Sequence, residues 1–398
     1  MKIDFLKKRK SSVGFNRKIK ITDKARIFLK DNEQVSFTGK KGLYDFCKKN
    51  WGFYCTPSIN SRLKNNNFEV YLASNLLNRF FIFAVEKNKK KEFFNYIKSE
   101  DNQIILRLDN INNPFHLKDK LSKGLNELEK YCDGINKCKK NKNQIKSIFK
   151  YLSPPKGEPK YKVKKYFREI LQCKNCNHFF AKHNINLNSL YKKYYSLVSH
   201  GENIKKKFDK INRLKTRSDN FHRVNRILRF FNGSNKKYRL LDIGSGIGIF
   251  LYNLKRKTKW RLFGIEPDKH NVNFSKEKLK LNIKNKNFKS KQYKNSKFDI
   301  ITLNKVIEHL KDPEFILKDI KNILKKNAYI YIEVPDGLSA KKSKNGKNSE
   351  EFFLDHFHVF STHSLRNCLM KCGYEIALIE KIKEPSGKHT IYAFAKCS

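Results

Sequence analysis

From about residue 186 onward, strand-like and helix-like segments alternate with little interruption, and this pattern limits the fold more than any other feature of the chain. "YRLLDI" is followed by the helix-like "IFLYNLKRK", "RLFGIE" by "NVNFSKEKLKL", and "FDIITL" by "PEFILKDIKNIL". "AYIYIEV", "YEIALIE" (Tyr374 to Glu380) and "TIYAFAK" (Thr390 to Lys396) supply further strands. Helical spacing of Phe221, Val224, Ile227 and Phe231 leads into this region, and "LNSLYKKYYSLV" reads as another helix. Repeated β–α alternation predicts a parallel sheet wrapped by helices, with ligands at the carboxyl ends of its strands.

The first of those strand ends reads "RLLDIGSGIGIF", with Gly244, Gly246 and Gly248 at every second position. A P-loop requires Lys and then Ser or Thr after its last glycine, and neither is present. A dinucleotide fingerprint requires glycine where this chain has Ile249. Asp242 stands two residues ahead of the glycine run, where it would repel a phosphate and hold a cation. Glu266 closes the next strand, 24 residues later, at the position from which a carboxylate accepts ribose hydroxyls. Together these residues predict a nucleoside ligand carrying little negative charge.

On these residues the chain resembles the class I S-adenosylmethionine-dependent methyltransferases. "LLDIGSGIGIF" resembles their first motif, "GIEPD" their second and "FDIITLNKVIEHLKDP" their fourth. "FLDHFHVFSTHSLRNCLMKCGYEI" is similar to a late segment of the small-molecule and sugar subgroup. The resemblance covers roughly residues 186 to 398 and implies a Rossmann-like seven-stranded α/β domain. It also implies that Asp242, Gly244, Ser245, Gly246, Gly248, Glu266 and Asn304 bind S-adenosylmethionine. The segment before Asp299 lacks the acid expected near the adenine, leaving Ser290, Gln292 or backbone for that contact. Methyl transfer to a hydroxyl or carbon needs a base beside the acceptor, and His309, His356 and His358 are the candidates by location. Each is equally readable as a packed loop histidine. The resemblance implies a small-molecule or sugar acceptor, such as a nucleotide-linked sugar or a glycan precursor. A nucleic-acid methyltransferase and a non-catalytic S-adenosylmethionine-binding protein are the alternatives.

The cysteines give a second theme. Cys173 and Cys176 have the spacing of a zinc knuckle, whereas Cys132 and Cys138 are set wider. His178 and His183 stand close enough in sequence to replace a ligand, and reduced cysteines with no metal role are the competing expectation. The same subgroup carries a cysteine-rich N-terminal segment whose second half "CKNCNHFFAKHNINLNSLYKKYY" resembles, with Asn177 replacing the usual glycine. Zinc on Cys132, Cys138, Cys173 and Cys176 is the resulting expectation.

Residues 1–125 read as a small α+β domain, with strands in "FEVYLAS", "RFFIFAVE" and "IILRLD" and a helix in "KKEFFNYI". "NWGFYCTPSINSRL" reads as a loop, either a ligand loop or local core. Residues 126–185 hold the cysteines and "SPPKGEPK", which reads as a linker. A net charge of +51 raises the nucleic-acid alternative, but Lys is spread over all 398 residues instead of gathering in an Arg-rich patch. It is expected to be a solvated surface, with nucleic acid disfavoured as a partner. Apolar runs as short as "FFIFAV" span no membrane, and nine scattered cysteines fit a reducing compartment, so the cytoplasm is expected.

Overall fold

The computed structural model describes residues 2–13, 19–38, 43–50, 52–56, 58–77, 79–111, 132, 134–136, 144–159, 166–183, 185, 203–231, 236–294 and 296–397. The helix expected in "LNSLYKKYYSLV" lies outside them, as does Cys138. The chain divides into two compact units, Met1–Tyr131 and Cys132–Ser398.

The first unit is built of antiparallel strands: β1 (Lys2–Val13) with β2 (Ile19–Phe28), a meander of β3 (Gln34–Thr38), β4 (Leu43–Lys49) and β5 (Gly52–Thr56), and a third sheet. That sheet has the order β7-β6-β8, from β6 (Phe68–Ser74), β7 (Phe80–Glu86) and β8 (Gln103–Arg107). The Asn75 side chain accepts from the amides of Leu77 and Arg79 and closes the β6–β7 hairpin. Tyr71, Ala73 and Val85 bury against Phe93 and Ile97 of the helix Lys90–Ser99, which gives the unit its own core. The segment expected as a loop is not one: Gly52–Thr56 pairs with β4, and Ile59–Leu63 forms a single helical turn. Its consecutive β-forming Phe53, Tyr54, Cys55 and Thr56 outweigh the turn signals of the flanking Trp-Gly and Pro.

In the second unit a seven-stranded sheet has the order β14-β13-β12-β15-β16-β19-β18. Its members are β12 (Arg239–Ile243), β13 (Arg261–Glu266), β14 (Ile283–Asn285), β15 (Phe298–Asn304), β16 (Leu324–Pro335), β18 (Tyr374–Lys383) and β19 (His389–Cys397). Strands β14, β13, β12, β15 and β16 are parallel, and β19 inserts antiparallel between β16 and β18. Near-continuous burial along β12, β15 and β16 follows from coverage on both faces. Phe250, Leu251 and Leu254 of the helix Ile249–Lys255 and Val224 and Ile227 of the helix Asp219–Phe230 bury against one face. The fold is therefore the Rossmann-like seven-stranded α/β domain expected, preceded by a small domain and a cysteine-containing segment. Consecutive strands run outward in both directions from β12, so the crevice between the ends of β12 and β15 is the natural ligand position.

A second, four-stranded sheet has the order β17-β11-β10-β9, from β9 (Ile145–Tyr151), β10 (Arg168–Cys173), β11 (Phe179–Lys182) and β17 (His358–Val359). Through β17 the late segment "DHFHVF" becomes an edge of the sheet that carries the cysteines. The Pro-rich stretch expected as a linker is anchored to the same unit. Glu158 is buried there, pairs with the fully buried Arg168 at 3.0 Å and accepts from the Leu354 amide at 2.9 Å.

Candidate functional site

The three glycines all adopt left-handed backbone: φ is +71° at Gly244, +51° at Gly246 and +75° at Gly248. They are glycine for different reasons. A Cβ at Gly244 would lie 2.7 Å from Val306 Cγ2, and one at Gly248 would lie 2.6 Å from Ser275 Oγ and 2.8 Å from Leu281 Cδ1. These two let the loop pack against the domain. A Cβ at Gly246 would meet nothing within 4 Å, so that residue borders open space.

Buried carboxylates stand at the ends of β12 and β13. Asp242 is 1% exposed, and its Oδ1 accepts from Thr302 Oγ1 at 2.7 Å and Asn304 Nδ2 at 2.8 Å. Burial pushes its carboxyl up to about 7, against the lowering effect of those donors and of Arg223. Glu266 Oε2 accepts from the Gly246 amide at 2.8 Å and Oε1 from the Asp268 amide at 3.0 Å, so the second strand end fixes the glycine loop. Burial raises its pKa as well. Asn304 Oδ1 and Ser245 Oγ are buried without a hydrogen-bond partner, an unusual state for buried polar atoms. An open glycine, two carboxylates and two orphaned polar atoms together fit a polar, weakly cationic nucleoside. Ser290 and Gln292 are committed locally instead: Ser290 to Asp319, Gln292 to the Lys289 amide and the Asn287 carbonyl.

Beyond Asn304 the chain turns sharply. Lys305 takes φ +59°, and its Nζ donates to Thr390 Oγ1 at 2.8 Å while burial lowers its pKa. Val306 caps Gly244, and the turn Ile307–His309 follows. Of the three candidate bases the structure brings two together: the rings of His309 and His356 lie 4.8 Å apart. His309 Nδ1 donates to the Asp355 carbonyl at 2.9 Å and His356 Nδ1 to the Glu351 carbonyl at 2.8 Å. A carbonyl only accepts, so each neutral ring keeps its proton on Nδ1 and its lone pair on Nε2. Burial lowers the His356 pKa to about 4. The neighbouring Asp355 is pushed up by burial but is held below its usual range by His356 and His309.

The third member of this cluster, Glu308, was absent from the sequence candidates. It is fully buried, burial raises its pKa, and neither carboxylate oxygen has a hydrogen-bond partner. Its signal in the sequence is the Glu-His pair in the turn that begins three residues past the strand end at Asn304.

His358 is placed apart from them. It is fully buried in β17, with Nδ1 2.9 Å from His178 Nε2 and Nε2 3.3 Å from the Lys311 carbonyl. Its ring belongs to the cysteine-bearing sheet. His178, considered in sequence as a metal ligand, bonds His358 and, through Nδ1, Ser364 Oγ at 3.1 Å. His183 stacks on Phe357 with ring centroids 5.7 Å apart.

Cys132, Cys173 and Cys176 do converge, with sulfur atoms within 4.8 Å of one another and Cys132 Sγ 3.5 Å from Cys173 Sγ. Two thiolates on one tetrahedral zinc stand about 3.8 Å apart, given Zn–S bonds of about 2.3 Å. The knuckle turn is built by Asn177 at φ +56°, with its Oδ1 accepting from Gln172 Nε2 at 2.9 Å. Asparagine tolerates the left-handed conformation that the usual glycine provides. Ser361 Oγ donates to the Cys176 carbonyl, tying the knuckle to the end of "DHFHVF".

Residues 213–379 match a family model described as a methyltransferase domain. The chain is 34% identical over 101 residues to the ubiquinone biosynthesis O-methyltransferase of Pelagibacter ubique (strain HTCC1062), a match covering 24% of this chain and 42% of that relative. Among solved structures, a SAM-dependent methyltransferase from Aquifex aeolicus is 21% identical, with 48% of this chain and 98% of that one covered and a TM-score of 0.36. Magnesium protoporphyrin IX methyltransferase from Synechocystis PCC 6803 is 13% identical, with 51% and 100% covered and a TM-score of 0.38.

Proposed function

We propose that this chain is an S-adenosylmethionine-dependent methyltransferase acting on a hydroxyl of a small-molecule acceptor, most specifically a sugar. The observation that carries this reading is Gly246, whose missing side chain faces open space and whose amide is held by Glu266. S-adenosylmethionine supplies a methyl group already made electrophilic by its sulfonium. Glu266 accepts the ribose hydroxyls with lone pairs left over from its two backbone bonds. Asp242 offers negative charge to the cationic methionine end, and Asn304 Oδ1 and Ser245 Oγ accept or donate beside it. The chain then holds the acceptor in line, and the cluster of Glu308, His309 and His356 activates its hydroxyl. The methyltransferase-domain match supports the reaction class. The O-methyltransferase relative favours oxygen as the accepting atom.

The sugar is one acceptor of the small-molecule and sugar subgroup that "FLDHFHVFSTHSL" resembles. The +51 charge keeps a nucleic-acid acceptor as the second reading. Incubation with methyl-labelled S-adenosylmethionine and fractionated cell extract separates them. Label is expected in the small-molecule or nucleotide-sugar fraction, and label confined to RNA would overturn the acceptor class.

We infer further that Cys132, Cys173 and Cys176 hold a structural zinc ion, with Cys138, outside the described residues, as the fourth ligand. Elemental analysis of the purified chain should return zinc, and Cys173→Ser should lose one equivalent and lower the melting temperature.

A further inference from the structure

Glu308, His309 and His356 form a cluster whose chemistry exceeds that of a general base. One ligand atom from each lies within 4.8 Å of the others. Both oxygens of Glu308 are buried with no hydrogen-bond partner, a costly state for a carboxylate unless a cation is to be met. The backbone carbonyls of Asp355 and Glu351 hold the protons of His309 and His356 on Nδ1. This outer support fixes the tautomer and presents the Nε2 lone pair, the arrangement that metal-bound imidazoles require. Lys305 and His309 attract the Glu308 carboxylate through charge, but Lys305 Nζ makes its hydrogen bond to Thr390 Oγ1 at 2.8 Å, so the Glu308 oxygens keep their lone pairs for a cation.

We propose that Glu308, His309 and His356 bind a divalent cation of the zinc or manganese class, which takes the acceptor through two neighbouring oxygens. This rests on the methyltransferase reading and specifies how its acceptor is activated. Two imidazoles and one carboxylate occupy one face of a metal ion and leave other positions open. An acceptor with vicinal oxygens, such as a diol, fills two of them. The bound hydroxyl becomes more acidic and loses its proton to water. Its oxygen then forms the O–CH3 bond while the S–CH3 electron pair returns to sulfur, leaving a neutral thioether and one released proton.

The test uses the full chain, treated with a mild chelator that leaves the cysteine-bound zinc in place by elemental analysis, then titrated separately with Mn2+ and Zn2+, beside calorimetric titration with S-adenosylmethionine. Glu308→Gln is isosteric, and its melting curve checks folding; His356→Gln serves as the second variant. The inference expects each variant to weaken binding of at least one of the two ions tenfold or more while S-adenosylmethionine affinity stays within about threefold. Methyl transfer by the wild-type chain should fall tenfold or more after chelation and return with the ion. Binding of both ions unchanged in both variants would overturn the cation site and leave the methyltransferase reading standing. Failure of the wild-type chain to bind S-adenosylmethionine would overturn that reading instead.

Discussion

Gly246 and its two neighbours show how one motif divides its work among residues. Gly244 and Gly248 are fixed by close packing, so alanine at either forces Val306, Ser275 or Leu281 to move. Gly246→Ala meets no protein atom, and its cost to the empty fold is the left-handed strain of about 1–2 kcal/mol. In the proposed cofactor site its methyl group enters the open space where the ligand would sit. We expect a melting temperature lower by a few degrees and a loss of S-adenosylmethionine affinity of at least tenfold, read by thermal melting and calorimetry.

Asp242 carries a pH prediction at the same scale. Its folded-state pKa is raised to about 7, so its ionised form disfavours folding and that stability contribution is lost as pH rises from about 4 towards 7. A cationic ligand reverses the preference by favouring the carboxylate. S-adenosylmethionine affinity should therefore rise with pH up to about 7 and level off above it. Asp242→Asn should flatten the profile, as calorimetry between pH 5.5 and 8.5 would record.

At the scale of elements, strands and helices with strong periodicity were legible, and short or polar ones were not. Ile243 and Leu303 sit in continuous apolar runs and were readable, whereas β14 is three residues within "NIKNKN" and offers no pattern. The role of the Pro-rich stretch was hidden because Glu158 finds its partners far along the chain, at Arg168 and Leu354. Of the candidate site, the glycine turn and its contact with Glu266 were legible from motif spacing, and their binding of S-adenosylmethionine is the proposal. Glu308 and the displacement of His358 into β17 depend on tertiary pairing, which no local pattern encodes.

The knuckle turn gives a direct test of element chemistry. Asn177→Gly should leave stability within about 0.5 kcal/mol, whereas Asn177→Val should cost about 1–2 kcal/mol or more by forcing a β-branched residue to positive φ. Beside the site, Glu333 at the end of β16 pairs with Arg223 and Arg226 at 2.5 Å each. Burial alone would raise its pKa, but the two guanidiniums hold it far below the usual carboxylate range. That pairing stabilises the fold above pH 4 or so and is lost on acidification. Glu333→Gln takes the carboxylate from Arg223 and leaves Arg226 only Glu384 as a carboxylate partner, and should cost about 3 kcal/mol in denaturant titrations.

On the scale of the whole molecule, two units with separate cores share one highly basic chain. The described residues of the candidate site all belong to Cys132–Ser398, as do the three converging cysteines. A chain reduced to residues 132–398 should therefore melt cooperatively and bind S-adenosylmethionine within about threefold of the full length. Loss of acceptor methylation in that fragment, with cofactor affinity kept, would assign the first unit to acceptor capture. No helix among the described residues is long and apolar enough to cross a membrane.

Whether the Asp242–Gly248 loop and Glu266 hold S-adenosylmethionine is read by titration calorimetry of the purified chain. Saturable binding with one ligand per chain is expected, lost in Gly246→Arg and weakened in Glu266→Gln. Absence of binding by the wild-type chain, or undiminished binding by Gly246→Arg, would contradict it.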